Sequence, residues 1–217
     1  GLWGGDGKRF GDIYRSRLDS RGMWTLPEPL GKQINTDGNE ESVFIHPDGK
    51  TLYFSSDGHV GMGGLDIFVS RMDSSGEWGE PVNLGYPINT YKNENSILIS
   101  ADAELAYFAS DRENGFGHLD LYSFELPKHL RPNKVSYFAG RIYDKESKQP
   151  LEARFELIDL ESGNTVVESF SNAGNGSFLV TLPPHNDYAL NASKDGYLFF
   201  SENFSMKSYS ADVPQEK

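Results

Sequence analysis

The chain contains no cysteine, and its apolar runs are short. The lack of cysteine excludes disulfide bonds, thiolate metal sites and a cysteine nucleophile, although it leaves the cellular compartment open. Because no apolar run approaches the ~18 residues that a membrane-spanning helix needs, the sequence predicts no direct insertion into a membrane.

Positive charge is also scarce. The chain has 20 Lys and Arg residues against 32 Asp and Glu residues, which gives a formal net charge of -12. A field of that sign repels the phosphate backbone of nucleic acids and anionic membrane surfaces. We therefore expect no nucleic-acid partner.

Turn-forming and aromatic residues are plentiful. The 217 residues include 23 glycines and 11 prolines spread along the chain, and 13% of the residues are aromatic. This composition is typical of many short strands joined by tight turns, so we predict an all-β fold. The length suits two domains that each bury a core.

An internal repeat of 54 residues decides the architecture of the first part of the chain. Residues 24–57 align without a gap on residues 78–111, with 16 of 34 positions identical. The same offset links three short strings, Asp12-Ile13-Tyr14, Asp66-Ile67-Phe68 and Asp120-Leu121-Tyr122. A fixed period of this length predicts a tandem array of structural units.

Each repeat predicts four strands, which in the complete copy lie at residues 42–46, 51–56, 66–71 and, more weakly, 81–84. The second strand is apolar on both faces, as expected of a sheet covered by neighbours on both sides. Pro47-Asp48-Gly49 predicts a tight turn before that strand. The second copy has Ala101-Asp102-Ala103 there, which predicts a different or looser turn. Four strands per repeat, stacked face to face, describe the blade of a β-propeller.

Particular strings in these repeats resemble a known family. They are residues 50–57 (KTLYFSSD), 63–68 (GGLDIF), 78–85 (WGEPVNLG) and 88–90 (INT). They look like the PD40 repeat, which is WD40-like and of the TolB type, and which is common in outer-membrane-associated proteins of Bacteroidetes. The resemblance covers residues 1–131 and implies a partial β-propeller: the end of one blade, one full blade and most of a third.

The repeat stops after Arg131-Pro132-Asn133, which marks a domain boundary. From residue 135 to 217, apolar residues alternate with polar ones, as at Ala153, Phe155 and Leu157, and turn clusters separate six short strands. Strands with one apolar face at this spacing predict a small β-sandwich.

The second domain also carries a resemblance. Residues 140–144 (GRIYD), 150–153 (PLEA), 176–178 (GSF) and 188–190 (YAL) resemble the carboxypeptidase-regulatory-like domain of transthyretin-like topology. In the family that combines this domain with a PD40 propeller, an OmpA-type peptidoglycan-binding domain usually follows. The resemblance implies a periplasmic, outer-membrane-associated protein that binds cell-envelope proteins, binds peptidoglycan through a domain absent from this chain, and serves in type IX secretion.

Several repeated residues are candidate sites. The glycine-rich loops at 1–7, 58–64 and 115–117 resemble phosphate cradles, but each leads into a predicted strand, whereas a cradle needs a helix N-terminus. The repeated aspartates could bind calcium or form catalytic pairs, although their repetition favours hydrogen bonds to loop amides. These aspartates are Asp12, Asp57, Asp66, Asp111 and Asp120.

Tryptophan and histidine complete the candidate residues. Trp24 and Trp78 occupy equivalent positions, which favours packing between blades over stacking on a ligand. The five histidines show no metal-ligand spacing, and we expect lone surface or loop side chains. They are His46, His59, His118, His129 and His185. We therefore predict no catalytic residue, no metal ligand and no cofactor-binding residue.

Three functions remain open. The leading hypothesis is a non-catalytic protein-binding scaffold that presents the rim of the propeller to a partner. The first alternative is a propeller enzyme or accessory domain that acts on glycans or peptides through rim carboxylates. The second alternative is a non-catalytic binder of carbohydrate or peptidoglycan, and an exposed tryptophan would be evidence for it.

The number of repeats carries its own expectation. About 130 residues at one blade per 54 residues make roughly 2.4 blades, whereas closed propellers have about four to eight. We therefore expect that further blades lie upstream or that another chain completes the array at its exposed edge.

Overall fold

The computed structural model describes residues 2–3, 9–19, 23–100, 102–113, 115–207 and 215–216. The chain forms two compact units, Gly1–Pro132 and Asn133–Lys217, and the predicted boundary between residues 131 and 135 brackets this division. The regular structure of the described residues consists of β-strands and one short 3-10 turn, Lys128–Leu130, so the all-β prediction is confirmed. No described helix is long and apolar enough to span a membrane.

The first unit, which contains the repeat, has eleven described strands. They are β1 (Leu2–Trp3), β2 (Arg9–Phe10), β3 (Tyr14–Arg15), β4 (Glu28–Pro29), β5 (Glu40–Ile45), β6 (Thr51–Ser56), β7 (Asp66–Arg71), β8 (Val82–Asn83), β9 (Glu94–Ile99), β10 (Leu105–Ser110) and β11 (Asp120–Glu125). Strands β5 to β8 form a four-stranded antiparallel sheet in sequence order, and β9 to β11 form a three-stranded one.

The 54-residue offset holds for strand pairing as well as for sequence. Glu40 pairs with Ser56 and, in the next sheet, Glu94 pairs with Ser110. The pairing of β3 with β4 recurs between β7 and β8 in the same register. Both copies also have a bulge in the first strand, where Ser42 and Ser96 have φ of 53° and 57°. Identical residues at a constant offset therefore produce identical backbone geometry.

Strand β6 is buried at all six positions, as its lack of alternation predicted. Tyr53 belongs to a core cluster shared with Ile97 and Phe108 of the following sheet. On the other face, Leu52 and Phe54 belong to a cluster with Ile13 of the preceding repeat. The sheet β5–β8 is thus covered on both faces by neighbouring repeats.

The turns before β6 and β10 correct one sequence-based expectation. Gly49 has φ of 67° and donates its amide to His46 O at 2.9 Å, and Ala103 has φ of 61° and donates to Ser100 O at 2.8 Å. The turn is therefore of the same kind in both copies, and the prediction of a different or looser turn is wrong. Asp102, like Asp48, accepts a following backbone amide, which holds the alanine in the left-handed region.

The second unit contains seven described strands. They are β12 (Ser136–Arg141), β13 (Arg154–Asp159), β14 (Thr165–Phe170), β15 (Ser177–Leu182), β16 (Asp187–Ser193), β17 (Phe200–Ser205) and β18 (Gln215–Glu216). One sheet has the order β15-β12-β18 and the other β14-β13-β16-β17. A single core cluster contains residues of both sheets, among them Phe138 and Phe178 from the first and Phe155 and Tyr188 from the second. The predicted inward positions Ala153, Phe155 and Leu157 are all buried.

Candidate functional site

The repeated aspartates accept hydrogen bonds from loop residues, as their repetition predicted. One carboxylate oxygen of Asp57 accepts the Asn39 amide at 2.7 Å and the other accepts its side-chain Nδ2 at 2.8 Å. Asp111 makes the same two bonds to Asn93, at 2.9 and 3.1 Å. These bonds lower the pKa of Asp111, because hydrogen bonds from the amide and side chain of Asn93 favour the ionised carboxylate.

Asp66 and Asp120 fix the glycine-rich loops between the second and third strands of their sheets. Oδ2 of Asp66 accepts the backbone amides of Met62 and Gly63, and Oδ2 of Asp120 accepts the amide of Phe116 at 2.7 Å. A Cβ added to Gly61 would lie 1.9 Å from Oδ2 of Asp66, so only glycine permits this approach.

Asp66 differs from the other loop aspartates in its burial. Its side chain is buried, and burial raises the pKa of this carboxyl, whereas the amides of Met62 and Gly63 oppose the shift and the nearby charge of Glu94 adds to it. Asp12, the remaining aspartate of the set, is exposed. The glycine loop at 1–7 falls mostly outside the described residues, while those at 58–64 and 115–117 precede β7 and β11 rather than a helix.

The two loops present apolar side chains at equivalent positions. Met62 and Phe116 lie 54 residues apart, and their side chains are 49% and 103% exposed. Both backbone amides are held by an aspartate, so each side chain projects from a fixed loop rather than from a loose one. Val60, in the first loop, is also almost fully exposed.

A tyrosine connects these two loops. Gly64 donates its amide to Lys92 O at 2.9 Å, and a Cβ on Gly63 would meet the backbone of Tyr91, so the first loop packs directly on this segment. The Tyr91 hydroxyl in turn donates to Glu113, just before the second loop, and this bond raises the pKa of Tyr91. The exposed apolar side chains of these segments, Val60, Met62, Tyr91 and Phe116, are called here the loop surface.

Buried glutamates are a part of the repeat that the sequence analysis did not single out. Glu40 accepts the Thr36 hydroxyl at 2.7 Å and the Ser56 hydroxyl at 2.7 Å. Glu94 makes the equivalent bonds to Thr90 and Ser110. All three residues of this group are identical in both copies, and that joint identity was the signal in the sequence.

His59 has a structural role that the repeat alignment conceals. Its Nε2 lies 2.9 Å from Ile34 O, and its ring packs against Phe54 and Phe68, with centroid distances of 5.7 and 5.2 Å. Because a carbonyl oxygen only accepts, Nε2 carries the proton in this arrangement.

In the next repeat Arg112 occupies the same place. Its guanidinium lies 4.9 Å from the centroid of Phe108 and 4.8 Å from that of Tyr122, and donates to Ile88 O at 2.6 Å. These three partners are the 54-residue equivalents of Phe54, Phe68 and Ile34. Arg112 itself aligns one residue before His59, so the sequence alignment does not pair the two side chains.

The other histidines divide between two environments. His118, His129 and His185 are exposed, as expected of loop side chains. His46 is fully buried, and its Nδ1 accepts the Asp48 amide at 3.1 Å. His46 thus has the predicted loop position, directly after β5, but it is buried rather than at the surface. Within the part of the chain that the structure describes, no group of three or more His, Asp or Glu residues is placed to hold a metal ion.

Trp24 and Trp78 differ in exposure although their positions in the repeat are equivalent. Trp78 is 9% exposed and belongs to the cluster that includes Ile13 and Ile34 of the preceding repeat. Trp24, in contrast, is 70% exposed. The predicted packing between repeats is thus found at Trp78 and not at Trp24.

These features define the chain as an all-β protein whose first unit is a tandem repeat. No protein-family model and no curated protein matches it. A solved structure described as the Bacillus anthracis TIE protein aligns with 92% of this chain and 48% of its own, at 10% identity and a TM-score of 0.31. The chain thus spans about half the length of that protein, and a TM-score this low carries no argument about fold or function.

Proposed function

We propose that the chain is a non-catalytic, protein-binding module made of a partial β-propeller and a carboxypeptidase-regulatory-like β-sandwich. The propeller assignment is supported by the four-stranded meander β5–β8, by its recurrence in the same register in β9–β11, and by the burial of β6 between neighbouring repeats. The sandwich assignment is supported by the core cluster common to both sheets of the second unit.

The observation that carries the binding function is the loop surface. Exposed apolar side chains that recur at one position of two fixed loops are costly to leave in water and typical of surfaces that contact other proteins. Because their backbones are already held by Asp66 and Asp120, little conformational entropy would be lost when a partner binds. The PD40 resemblance suggests that the partner is a cell-envelope protein of the periplasm, in an outer-membrane-associated assembly such as the type IX secretion system.

A comparative affinity capture from a native cell envelope tests this function. The tagged chain is compared with a Met62→Ser/Phe116→Ser double variant and with Leu26→Ser, a matched control at an 87% exposed apolar position outside the loop surface. We expect the wild type and the control to recover the same partner in equal amounts. The double variant should recover at least tenfold less of it, as for the loss of two contact residues. Equal recovery with all three proteins would contradict the proposal.

Carbohydrate binding is the second candidate, because the Trp24 indole is exposed and could stack on a sugar ring. Titration of the chain with soluble peptidoglycan fragments while tryptophan fluorescence is recorded tests it. We expect a change in emission that is lost in Trp24→Ala, and an unchanged emission from the wild type would eliminate this candidate.

A further inference from the structure

The second unit has a cavity of about 460 Å³ on the outer face of the sheet β14-β13-β16-β17. Arg154, in the central strand β13, lies on the face opposite to the buried Phe155 and forms part of the cavity wall. Its cross-strand neighbours Phe170 and Ser193 line the cavity as well. The volume lies within the range of small-ligand sites, roughly 300 to 1,000 Å³.

Three aromatic side chains line this cavity. Phe170 ends the edge strand β14, whereas Tyr197 and Phe199 precede the opposite edge strand β17, and their exposed fractions are 48%, 46% and 64%. Three interstrand spacings of ~4.8 Å separate the two edges by about 14 Å. The site, called here the groove, is thus lined by aromatic rings and by polar and charged side chains.

The charges in the groove balance one another. Arg154 pairs with Glu168 at 2.9 Å, and Nζ of Lys194 donates to Glu152 O at 2.6 Å. The charged side chains that line the groove are two acidic ones, of Glu152 and Asp195, and two basic ones, of Arg154 and Lys194. Since neither sign dominates, the groove suits a neutral ligand that both donates and accepts hydrogen bonds.

At the central strand β13, the floor of the groove offers side chains rather than free backbone groups. Strand β13 is hydrogen-bonded to β14 on one side and to β16 on the other, so its amides and carbonyls are used within the sheet. An extended peptide that adds to a sheet needs the unpaired backbone groups of an edge, which a central strand does not supply. A ligand with hydroxyl groups around apolar ring faces matches the polar floor and the aromatic walls.

We propose that this groove binds a neutral oligosaccharide, whose pyranose faces stack on Phe170 and on Phe199 or Tyr197 while its hydroxyls bond to the charged floor. The groove belongs to the second unit, whereas the loop surface and Trp24 belong to the first, and the groove does not depend on the protein-binding function proposed above.

Calorimetric titration of the whole chain with cellotetraose, chitotetraose and maltotetraose, together with amide NMR spectra, tests the groove. At least one of the three sugars is expected to bind at millimolar concentration or below, with shifted amides around residues 152–154, 168–170 and 193–200. Phe170→Ala and Phe199→Ala are expected to weaken binding about tenfold each, as for the loss of one stacking contact. Leu198→Ala is the matched control, because this side chain is 96% exposed between two groove residues but does not line the cavity, and it should bind like the wild type.

Several results would overturn the proposal. One is that none of the three sugars binds. Another is that both phenylalanine variants bind the sugar with the same affinity as the wild type. A third is that the shifted amides are confined to the neighbourhood of Trp24. Binding at the groove by a neutral aromatic peptide such as Ala-Phe-Ala-Phe, but by none of the sugars, would also overturn it and indicate a peptide site. Each variant replaces an exposed side chain, and an unchanged dispersion of its amide spectrum shows that it is folded.

Discussion

Aspartate side chains hold many turns of this protein by accepting hydrogen bonds from backbone amides. Asp48 accepts the amides of Lys50 and Thr51 before β6, and Asp159 accepts those of Glu161 and Ser162 after β13. A short acidic side chain at a turn satisfies donors that the strands leave unpaired. At the residue scale, much of the acidic composition therefore serves local structure, and the repeated aspartates need no catalytic explanation.

The turn at Gly49 gives a prediction for stability. Gly49 has φ of 67° and its added Cβ would meet nothing within 4 Å, so Gly49→Ala changes backbone preference without a clash. We expect a loss of about 1 kcal/mol in the free energy of unfolding, measured by urea denaturation, since L-residues disfavour the left-handed region. Gly117→Ala, in open space without a positive φ, is the control and should change stability by less than about 0.5 kcal/mol. Equal losses in both variants would contradict the conformational argument.

Asp159 gives a prediction for pH dependence. Hydrogen bonds from the Ser162 amide and from the Asn186 side chain lower the pKa of Asp159 below its usual value of 3.8. Its stabilising contribution is therefore complete above that value and is lost as the pH falls through the lower pKa of the folded state, because the unfolded chain binds the proton first. We expect the unfolding free energy of Asp159→Asn to vary less with pH below 3.8 than that of the wild type. If the unfolding free energy of Asp159→Asn had the same pH dependence as that of the wild type, Asp159 would not contribute to the loss of stability in acid.

At the scale of elements, two consecutive repeats place a nitrogen-bearing side chain against the same two aromatic positions and the same backbone carbonyl. His59 does this in one repeat and Arg112 in the next, from positions that the alignment offsets by one residue. Arg112 also lies 3.6 Å from the buried Glu94, so its positive charge offsets a carboxylate that has lost its water. The repeat thus conserves a contact rather than a residue.

Removal of Arg112 tests this contact. Arg112→Ala leaves Glu94 buried without its nearby cation, and we expect a loss of about 3 kcal/mol in the free energy of unfolding. In a Glu94→Gln background the same substitution should cost at least about 1 kcal/mol less, which a double-mutant cycle measures. The exposed Arg141→Ala is the control, with an expected change within about 0.5 kcal/mol. Equal costs of Arg112→Ala in both backgrounds would show that the two charges are not coupled.

Elements were predicted well from sequence where periodicity is strong. Strands 51–56 and 66–71 have the predicted bounds, and 42–46 and 81–84 differ by one or two residues at each end. The local sequence does not indicate the bulge at Ser42 and Ser96 or the left-handed conformation of Ala103, so neither was predicted. They depend on strand pairing and on side-chain bonds that form only in the fold.

At the scale of the whole molecule, the net charge of -12 governs encounters with other macromolecules. Both parts of the chain contain more acidic than basic residues, so the net charge of each part repels a polyanion. The partners that this field favours are neutral or basic, which agrees with the proposed protein-binding surface and with the neutral ligand proposed for the groove.

A mobility-shift assay tests this consequence of charge. We expect no shift of a short DNA duplex by the chain at low salt, where any attraction to phosphate would be strongest, and a clear shift by a basic DNA-binding domain used as the positive control. A salt-sensitive shift caused by this chain would show that a local basic surface outweighs its overall charge.

The sequence by itself determined the 54-residue repeat, the all-β class and the double-sided burial of β6. Identical side chains at a constant offset give the same strand pairing, and a strand that is apolar on both faces needs cover on both. Only the tertiary structure decided which equivalent residues share an environment. Trp78 is covered by a preceding repeat and Trp24 is not, while His59 and Arg112 share a place although they do not align. The physical reason is that burial and hydrogen bonding depend on neighbours distant in the chain, and those neighbours are brought together by folding.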